Sequence, residues 1–164
     1  MVITKLEGNI ITDVYCCLGQ KREMFKDEIA ESVGYMKEKL NQGWLAYGVY
    51  NEAKKPVGMA ILIPSTDSLS PVEGEEIYYF HCVDINKEVR KQSIGTRLIE
   101  RITDDVRALG GRGLAVDCWG EYWMPPEFFK KVGFELVEAF SEHSLLLKKI
   151  AKDARVKFIP MGYK

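Results

Sequence analysis

Hydrophobic and polar positions follow two different periods along this chain, one typical of helices and the other typical of strands. Apolar side chains recur every three or four residues over Lys21–Leu40 and again over Ile94–Leu109, which predicts two amphipathic helices. Two glycines follow the second helix and predict its end. The segments Asn9–Leu18 and Pro126–Lys131 are predicted to be short helices, the latter with a proline in its first turn.

Short apolar runs rich in β-branched and aromatic residues predict the strands. They are Val2–Leu6, Trp44–Tyr50, Val57–Ile63, Ile77–Ile85, Gly113–Cys118, Phe134–Phe140 and Ser144–Leu147. The polar residues 51–56 predict a hairpin turn, and the long run Ile77–Ile85 predicts a strand that is buried on both faces. Helices and strands are mixed in order, which indicates an α/β protein with one strand–loop–helix–strand crossover.

The composition and charge of the chain exclude several classes of protein. The chain has 164 residues, of which 46% are hydrophobic and 29% charged, as expected for a single globular domain. We assign residues 1–149 to this domain and residues 150–164 to a basic C-terminal tail. Lysine and arginine total 23 against 24 acidic residues, so the net charge of -1 argues against nucleic-acid binding. The longest apolar run, Val57–Ile63, is too short to span a membrane, and the first residues lack the apolar core of a signal peptide. We therefore expect a cytoplasmic protein.

The cysteines and histidines do not predict a metal site. Four cysteines occur, with no Cys-x-x-Cys pair, and neither histidine stands at a metal-ligand spacing from them. A chain of this length does not need disulfides for its stability. We expect four reduced thiols, Cys16, Cys17, Cys82 and Cys118.

Candidate chemistry is concentrated between the long strand and the second amphipathic helix. A helix N-terminus presents unpaired N–H groups and a partial positive charge, which together attract an anion. Gly95 would let a phosphate approach the backbone closely, and Arg90, Lys91 and Arg97 surround it with positive charge. This arrangement predicts a pyrophosphate-binding loop, although a solvated basic turn would have a similar sequence.

The segment from Phe80 to Leu98 resembles the acyl-CoA loop of the GNAT superfamily of N-acyltransferases. That family's motif reads Arg/Gln-x-x-Gly-x-Gly/Ala, and here Ser93 stands in place of the first glycine. Phe128–Phe134 resembles the family's closing helix and the Gly-Phe step that follows it. The order of elements fits from about Trp44 to Leu147. Two further segments, Tyr15–Gly19 and Trp123–Pro126, resemble a little-characterised microbial branch.

The resemblance implies a mixed, mostly antiparallel central sheet with helices on both faces, and acetyl-CoA as co-substrate with no metal. The pyrophosphate would bind to the loop residues, and the pantetheine arm would lie along the end of the long strand like an added strand. The implied cofactor-binding residues are Val83, Ile85, Arg90, Lys91, Gln92, Ser93, Ile94, Gly95 and Thr96. In this family exposed closing strands often pair, which implies a homodimer as one assembly.

Acetyl transfer to an amine needs a group that removes the amine's proton. Glu76 lies where some family members carry their base, and His81 has a suitable pKa range. A regular strand would point these two side chains to opposite faces unless a β-bulge lies between them. The family's usual general acid is a tyrosine in the closing helix, where this chain has Phe129, so Tyr122 or Cys118 would have to replace it.

Two features favour a cationic amine as acceptor. Trp119, Tyr122, Trp123 and Met124 form an aromatic-rich loop, and six acidic residues between 65 and 89 would attract positive charge. The resulting hypothesis is a single-domain N-acetyltransferase in which the amine attacks acetyl-CoA directly in a ternary complex. Two alternatives remain: a CoA-binding or regulatory module without turnover, and an interaction module that uses the basic tail.

Overall fold

The computed structural model describes residues 1–90, 92–120 and 124–159, and these residues form strands, three α-helices and two 3₁₀ segments. The strands are β1 (Val2–Lys5), β2 (Leu45–Tyr50), β3 (Pro56–Pro64), β4 (Val72–Glu73), β5 (Ile77–Ile85), β6 (Gly113–Trp119), β7 (Glu135–Phe140), β8 (His143–Lys149) and β9 (Lys157–Phe158). The helices are α1 (Lys26–Asn41), α2 (Ile94–Ala108) and α3 (Pro126–Lys131), and the 3₁₀ segments are Gly8–Phe25 and Lys87–Val89. In these described ranges, no helix is long and apolar enough to cross a membrane.

Seven strands form one sheet in the order β1-β2-β3-β5-β6-β8-β7, and β4 pairs with β9 in a second sheet. The described pairings are antiparallel except that of β5 with β6, which is parallel. The predicted mixed α/β architecture with a mostly antiparallel sheet is therefore confirmed. The order departs from the sequence in two places, since β4 belongs to the second sheet and β8 lies between β6 and β7. Helix α2 connects the parallel strands β5 and β6, as a crossover requires.

The chain divides into two compact units, each built from separate stretches of sequence. The first unit comprises Met1–Leu62 and Cys82–Leu98, and the second comprises Ile63–His81 and Ile99–Lys164.

In the first unit, β1 and β2 pair antiparallel and a hairpin joins β2 to β3. The 3₁₀ segment Gly8–Phe25 turns sharply at Gly19, whose φ of 56° is in the left-handed region that glycine tolerates. The Tyr15 hydroxyl donates to the Ser32 hydroxyl at 2.8 Å, which fixes this segment on α1. The predicted short helix Asn9–Leu18 is present as a 3₁₀ helix that ends at the Gly19 kink. The expectation for the next helix was wrong at its start, since α1 begins at Lys26 rather than Lys21.

Helix α2 begins at Ile94 as predicted, and its apolar stripe is buried. Ile94, Leu98, Ile102 and Val106 are all 3% exposed or less. The stripe ends there, because Leu109 lies beyond the helix and is 55% exposed.

The second unit contains a parallel pairing and an aromatic core. Ile77, Tyr78 and Tyr79 of β5 lie opposite Gly113, Leu114 and Ala115 of β6. Phe80, Phe129 and Phe134 pack together, with ring centroids 5.2 to 6.2 Å apart. Of β5, only the first part is buried, since His81 is exposed and the residues after it are half-buried, which corrects the expectation of burial on both faces.

Residues 150–159 are folded, although the sequence analysis assigned them to a tail. Lys157 and Phe158 form β9 opposite β4, and Ala154 and Val156 are buried. The Arg112 guanidinium contacts the Asp153 carboxylate at 2.6 Å. Residues 160–164 lie outside the described residues.

Strand β7 forms the outer edge of the large sheet and is exposed along its whole length. It carries three large apolar side chains, Leu136, Val137 and Phe140, with exposures of 55%, 44% and 71%. Its register with β8 shifts between Leu136 and Glu138, a β-bulge of the kind that edge strands often carry.

Candidate functional site

The N-terminus of α2 has the geometry of an anion site. The first intrahelical bond runs from the Arg97 N–H to the Ser93 carbonyl at 3.0 Å. The N–H groups of Ile94, Gly95 and Thr96 precede this bond and therefore have no acceptor within the helix. With the positive end of the helix dipole, these donors would hold a pyrophosphate. The residues predicted to form the loop are thus brought together, except Lys91, which lies outside the described residues.

Ser93 has a φ of 55°, in the left-handed region that favours glycine. This conformation explains why the resembling motif has glycine at this position. Serine adopts it at a cost of about 1 kcal/mol in backbone strain, while its exposed hydroxyl adds a hydrogen-bond donor beside the helix start.

Arg90 is held against the end of β5. Its Nε donates to the Ile85 carbonyl at 2.7 Å, and an Nη donates to the Asp84 carboxylate at 3.2 Å. These two bonds fasten the turn to the strand. A guanidinium has five N–H donors, so further donors remain for an anion.

The end of β5 lies next to β3 in the first unit. The Asn86 N–H donates to the Val57 carbonyl at 2.9 Å, and an added Cβ on Gly58 would lie 2.5 Å from Ile85 Cδ1. The added Cβ would also lie 3.1 Å from the Asp84 carbonyl oxygen, so this close approach favours glycine at 58. Val83 and Ile85, predicted to contact the pantetheine arm, are half-buried and alternate with Cys82 and Asp84 along the strand.

The two predicted base candidates are not neighbours in the second unit. Glu76 is exposed at the turn before β5, with a φ of 52°, and its carbonyl accepts the Arg112 N–H at 2.8 Å. His81 lies five residues further along, a separation of about 16 Å in an extended strand. Loss of hydration lowers the pKa of the His81 imidazole even though the side chain reaches solvent, so the ring is neutral and able to accept a proton at pH 7.

The residues considered for the role of general acid differ in their burial. Phe129 is buried in the aromatic core, where it replaces the tyrosine of the resembling motif and donates no proton. Burial raises the pKa of the Cys118 thiol to about 12, which disfavours the thiolate that a covalent acyl-cysteine route needs. Tyr122 and Trp123 lie outside the described residues, while Met124 of the same loop is buried.

One pair of titratable residues was not among the predicted site residues. The Asp117 carboxylate on β6 contacts His143 Nδ1 on β8 at 2.7 Å. Burial raises the pKa of Asp117, and the hydrogen bond to His143 opposes that shift. The available signal was an aspartate inside the apolar run GLAVDC, but its partner lies 26 residues away.

Helix α2 lies between two parallel strands of a mostly antiparallel sheet, which makes the chain a mixed α/β protein. The chain belongs to the acetyltransferase (GNAT) family, which matches residues 19–134. No curated protein matches the sequence. Members of this family use acetyl-CoA, and this chain's helix N-terminus fits that group.

Solved structures share the fold at low sequence identity. A GNAT-family acetyltransferase from Staphylococcus aureus Mu50 is 13% identical, with a TM-score of 0.68 over 91% of this chain and 98% of that one. An aminoglycoside 6'-N-acetyltransferase in complex with coenzyme A is 18% identical, with a TM-score of 0.62 over 98% of each chain. The PaiA N-acetyltransferase from Thermoplasma acidophilum, also with coenzyme A, is 13% identical, with a TM-score of 0.59 over 91% and 99%. These likenesses establish the fold.

Proposed function

We propose that this protein is an N-acetyltransferase that moves an acetyl group from acetyl-CoA to a cationic amine by direct attack in a ternary complex. The observation that carries the proposal is the open N-terminus of α2, where Ile94, Gly95 and Thr96 present N–H groups with no acceptor in the helix. Family membership indicates acetyl-CoA as the co-substrate, and the free N–H groups at the start of α2 support a pyrophosphate site there.

For acetyl transfer the chain must bind acetyl-CoA, bind the amine and remove a proton from it. Acetyl-CoA supplies the thioester carbonyl, which the neutral amine attacks as the C–S bond breaks. A base must take the proton of the amine, whose pKa near 10.4 keeps it protonated at pH 7. His81 is the first candidate, because it lies two residues before Val83 in β5, and Glu76, which lies before the start of that strand, is the second candidate.

Negative charge and exposed aromatic surface support a cationic amine as the acceptor. Glu75 and Glu76 are exposed before the start of β5, while Glu73 beside them is paired with Lys157. Trp119 is 53% exposed at the end of β6. Carboxylates attract ammonium groups, and an exposed indole adds a cation–π surface. The aminoglycoside acetyltransferases of similar fold act on molecules of this kind, which supports the same class here without specifying the compound.

The test separates binding from turnover. Wild-type protein should bind acetyl-CoA in calorimetry and release free thiol in the presence of a panel of amines such as spermidine and neomycin. Gly95→Asp should abolish CoA binding, because a carboxylate would repel the phosphate and a side chain would block its approach. Gly34→Asp, on the exposed face of α1, is the matched control and should retain binding. A folded Gly95→Asp variant with unchanged affinity would refute the loop assignment.

A CoA-binding module without turnover is the second candidate. Phe129 favours it, because a buried phenylalanine occupies the position of the family's usual proton donor. Calorimetric CoA binding with no thiol release on any amine would select this function over acetyl transfer.

A further inference from the structure

Two cysteines from distant parts of the sequence meet within the first unit. Cys17 lies in the 3₁₀ segment Gly8–Phe25 and is exposed, while Cys82 lies in β5 and is half-buried. Their thiols share a hydrogen bond, so the two sulfur atoms are neighbours in space although they are far apart in the chain. Both cysteines are free thiols in the structure.

The 3₁₀ segment that carries Cys17 is held against two other elements of the same unit. The Tyr50 hydroxyl of β2 donates to Asp13 Oδ2 at 2.6 Å, and the Tyr15 hydroxyl donates to the Ser32 hydroxyl on α1 at 2.8 Å. These bonds join the segment to a strand on one side and to a helix on the other. The position of the Cys17 sulfur is therefore set by the fold.

The surroundings of Cys17 favour its thiolate. Its sulfur accepts hydrogen bonds from the Cys82 thiol and from the N–H groups of Cys17 and Leu18, and these donors lower its pKa to about 7. Burial and the Asp84 carboxylate oppose this shift. A thiolate is the nucleophile in thiol–disulfide exchange, and exposure to solvent lets a small disulfide reach it.

Cys82 is suited to a second step of the same exchange. The hydrogen bond to Cys17, burial and the charge of the Cys17 thiolate all raise the pKa of Cys82. When Cys17 becomes part of a disulfide, the charge and the hydrogen-bond acceptor are both lost, so Cys82 ionises more easily than before. Its sulfur already lies beside Cys17, as an attack on a mixed disulfide requires.

The other two cysteines lack this combination. Cys16 precedes Cys17 in the chain, but burial raises the pKa of its thiol to about 12. Cys118 lies in the second unit, where it is buried and its pKa is also raised to about 12. Among the four cysteines, an exposed thiolate therefore meets a protonated second thiol at Cys17 and Cys82.

We infer that Cys17 and Cys82 form a modification site for low-molecular-weight disulfides, with Cys17 as the attacking thiolate and Cys82 as the resolving thiol. Cys17 attacks one sulfur of the disulfide R–S–S–R, whose S–S bond breaks and releases RS⁻. Cys82 gives its proton to this RS⁻ and attacks the Cys17 sulfur, which displaces the second RS⁻; that thiolate takes a proton from water. Two protein thiols are oxidised to one disulfide, and the small disulfide is reduced to two thiols.

Oxidised glutathione, added to the reduced full-length chain at pH 7, tests the site. We expect intact mass spectrometry to show the loss of two hydrogen atoms, and a tryptic digest without reductant to join residues 6–21 to residues 55–87. The joined peptide identifies a bond to Cys82 in the wild type, so this result does not depend on the folding of a variant. A wild-type chain that stays unmodified, or that forms a disulfide within residues 6–21, would overturn the inference.

Two variants separate the two roles. Cys82→Ser retains a hydrogen-bond donor but removes the resolving sulfur, so a glutathione adduct on Cys17 should accumulate at a rate within about threefold of the wild-type reaction. Cys17→Ser, at an exposed position, should form neither the adduct nor the disulfide. Cys16→Ala is the matched control and should form the disulfide as the wild type does. Loss of the disulfide in Cys16→Ala, or its persistence in Cys82→Ser, would contradict the assignment.

Oxidised glutathione and coenzyme A disulfide carry the same reactive bond, and their rates distinguish them as sources. If the nucleotide of coenzyme A disulfide binds at the N-terminus of α2, its reaction should be the faster one, and Gly95→Asp should lower the rate to that of oxidised glutathione. Equal rates in the wild type would show that the thiols recognise the disulfide bond alone. The modification needs no acetyl transfer, so a failure of the proposed function would leave this site in place.

Discussion

At the scale of single residues, the four thiols of this chain differ in acidity because their neighbours differ. Burial raises the pKa of Cys16 to about 12. Cys17 is exposed and its pKa is lowered to about 7, chiefly because the Cys82 thiol donates a hydrogen bond that stabilises the Cys17 thiolate. The same hydrogen bond raises the pKa of Cys82. The 3₁₀ segment therefore places a reactive sulfur next to β5 within the first unit.

Alkylation by iodoacetamide should show this difference. The thiolate is the nucleophile, and a lowered pKa means that it is present above pH 7, so the rate at Cys17 should rise with pH through a midpoint near 7. Cys82→Ala removes the hydrogen-bond donor, raises the pKa of Cys17 and should slow alkylation at pH 7 about 10-fold. Mass spectrometry of quenched samples identifies the modified residue. A midpoint near 9 in the wild type would contradict the assignment.

The two base candidates are also distinguished by single substitutions. Removal of a positioned general base lowers kcat by roughly 10²–10⁴-fold. We expect that loss for His81→Ala, because His81 lies two residues before Val83 in β5, and a smaller loss for Glu76→Gln, because Glu76 lies before the start of that strand. CoA affinity should barely change in either variant. A large loss at Glu76 with a small loss at His81 would reverse the assignment.

At the scale of secondary-structure elements, the loop before α2 combines a predictable feature with an unpredicted one. The start of α2 follows from its apolar stripe and from the polar residues before it, and the structure confirms it at Ile94. The left-handed conformation of Ser93 has no local signal, because serine rarely adopts it. The family motif, which has glycine at this position, was the only indication.

Ser93→Gly should therefore stabilise the protein slightly. Glycine adopts a positive φ without strain, although its greater freedom in the unfolded chain offsets part of the gain. We expect about 0.5–1 kcal/mol in the free energy of unfolding, measured by urea denaturation, with CoA affinity within about twofold of wild type. Ser144→Gly, in the interior of β8, is the control and should destabilise. Destabilisation by Ser93→Gly would argue that the serine hydroxyl outweighs the strain.

Elements with a strong internal period were predicted well, and elements defined by distant partners were not. The limits of β5 and α3 follow from a continuous apolar run and from a proline with a glycine stop, and the structure reproduces them. The strands β4 and β9 have two residues each and no period, since each exists through its pairing with the other. The Asp117–His143 pair likewise depends on the register between β6 and β8, which local sequence does not encode.

At the scale of the whole molecule, the last described residues complete the second unit. Ala154 and Val156 are 3% and 6% exposed, and β9 supplies the partner of β4. A segment that buries apolar side chains and closes a strand pair contributes to stability and is unlike a solvated tail.

Truncation after Lys149 should accordingly destabilise the protein. Loss of the buried valine, the buried alanine and the strand pair should lower the free energy of unfolding by about 3 kcal/mol, measured by urea denaturation. A substitution that removes charge but no buried group, Lys152→Gln, is the control. If the truncated chain instead keeps wild-type stability and loses a salt-dependent partner, the segment is an interaction tail.

The open edge of β7 has a consequence for how copies of the chain meet one another. Its six residues leave backbone N–H and C=O groups on the outer side, and the apolar side chains Leu136 and Val137 beside them favour contact with a second strand. A second β7 that approached about a two-fold axis would also bring Glu135 of both copies to the same edge, while Glu138 accepts the Phe158 N–H and interacts with Lys157. Mobile ions screen that repulsion over roughly 10 Å at 0.1 M ionic strength. If copies of the chain pair through this edge, added salt should therefore favour the pairing and dilute buffer should oppose it.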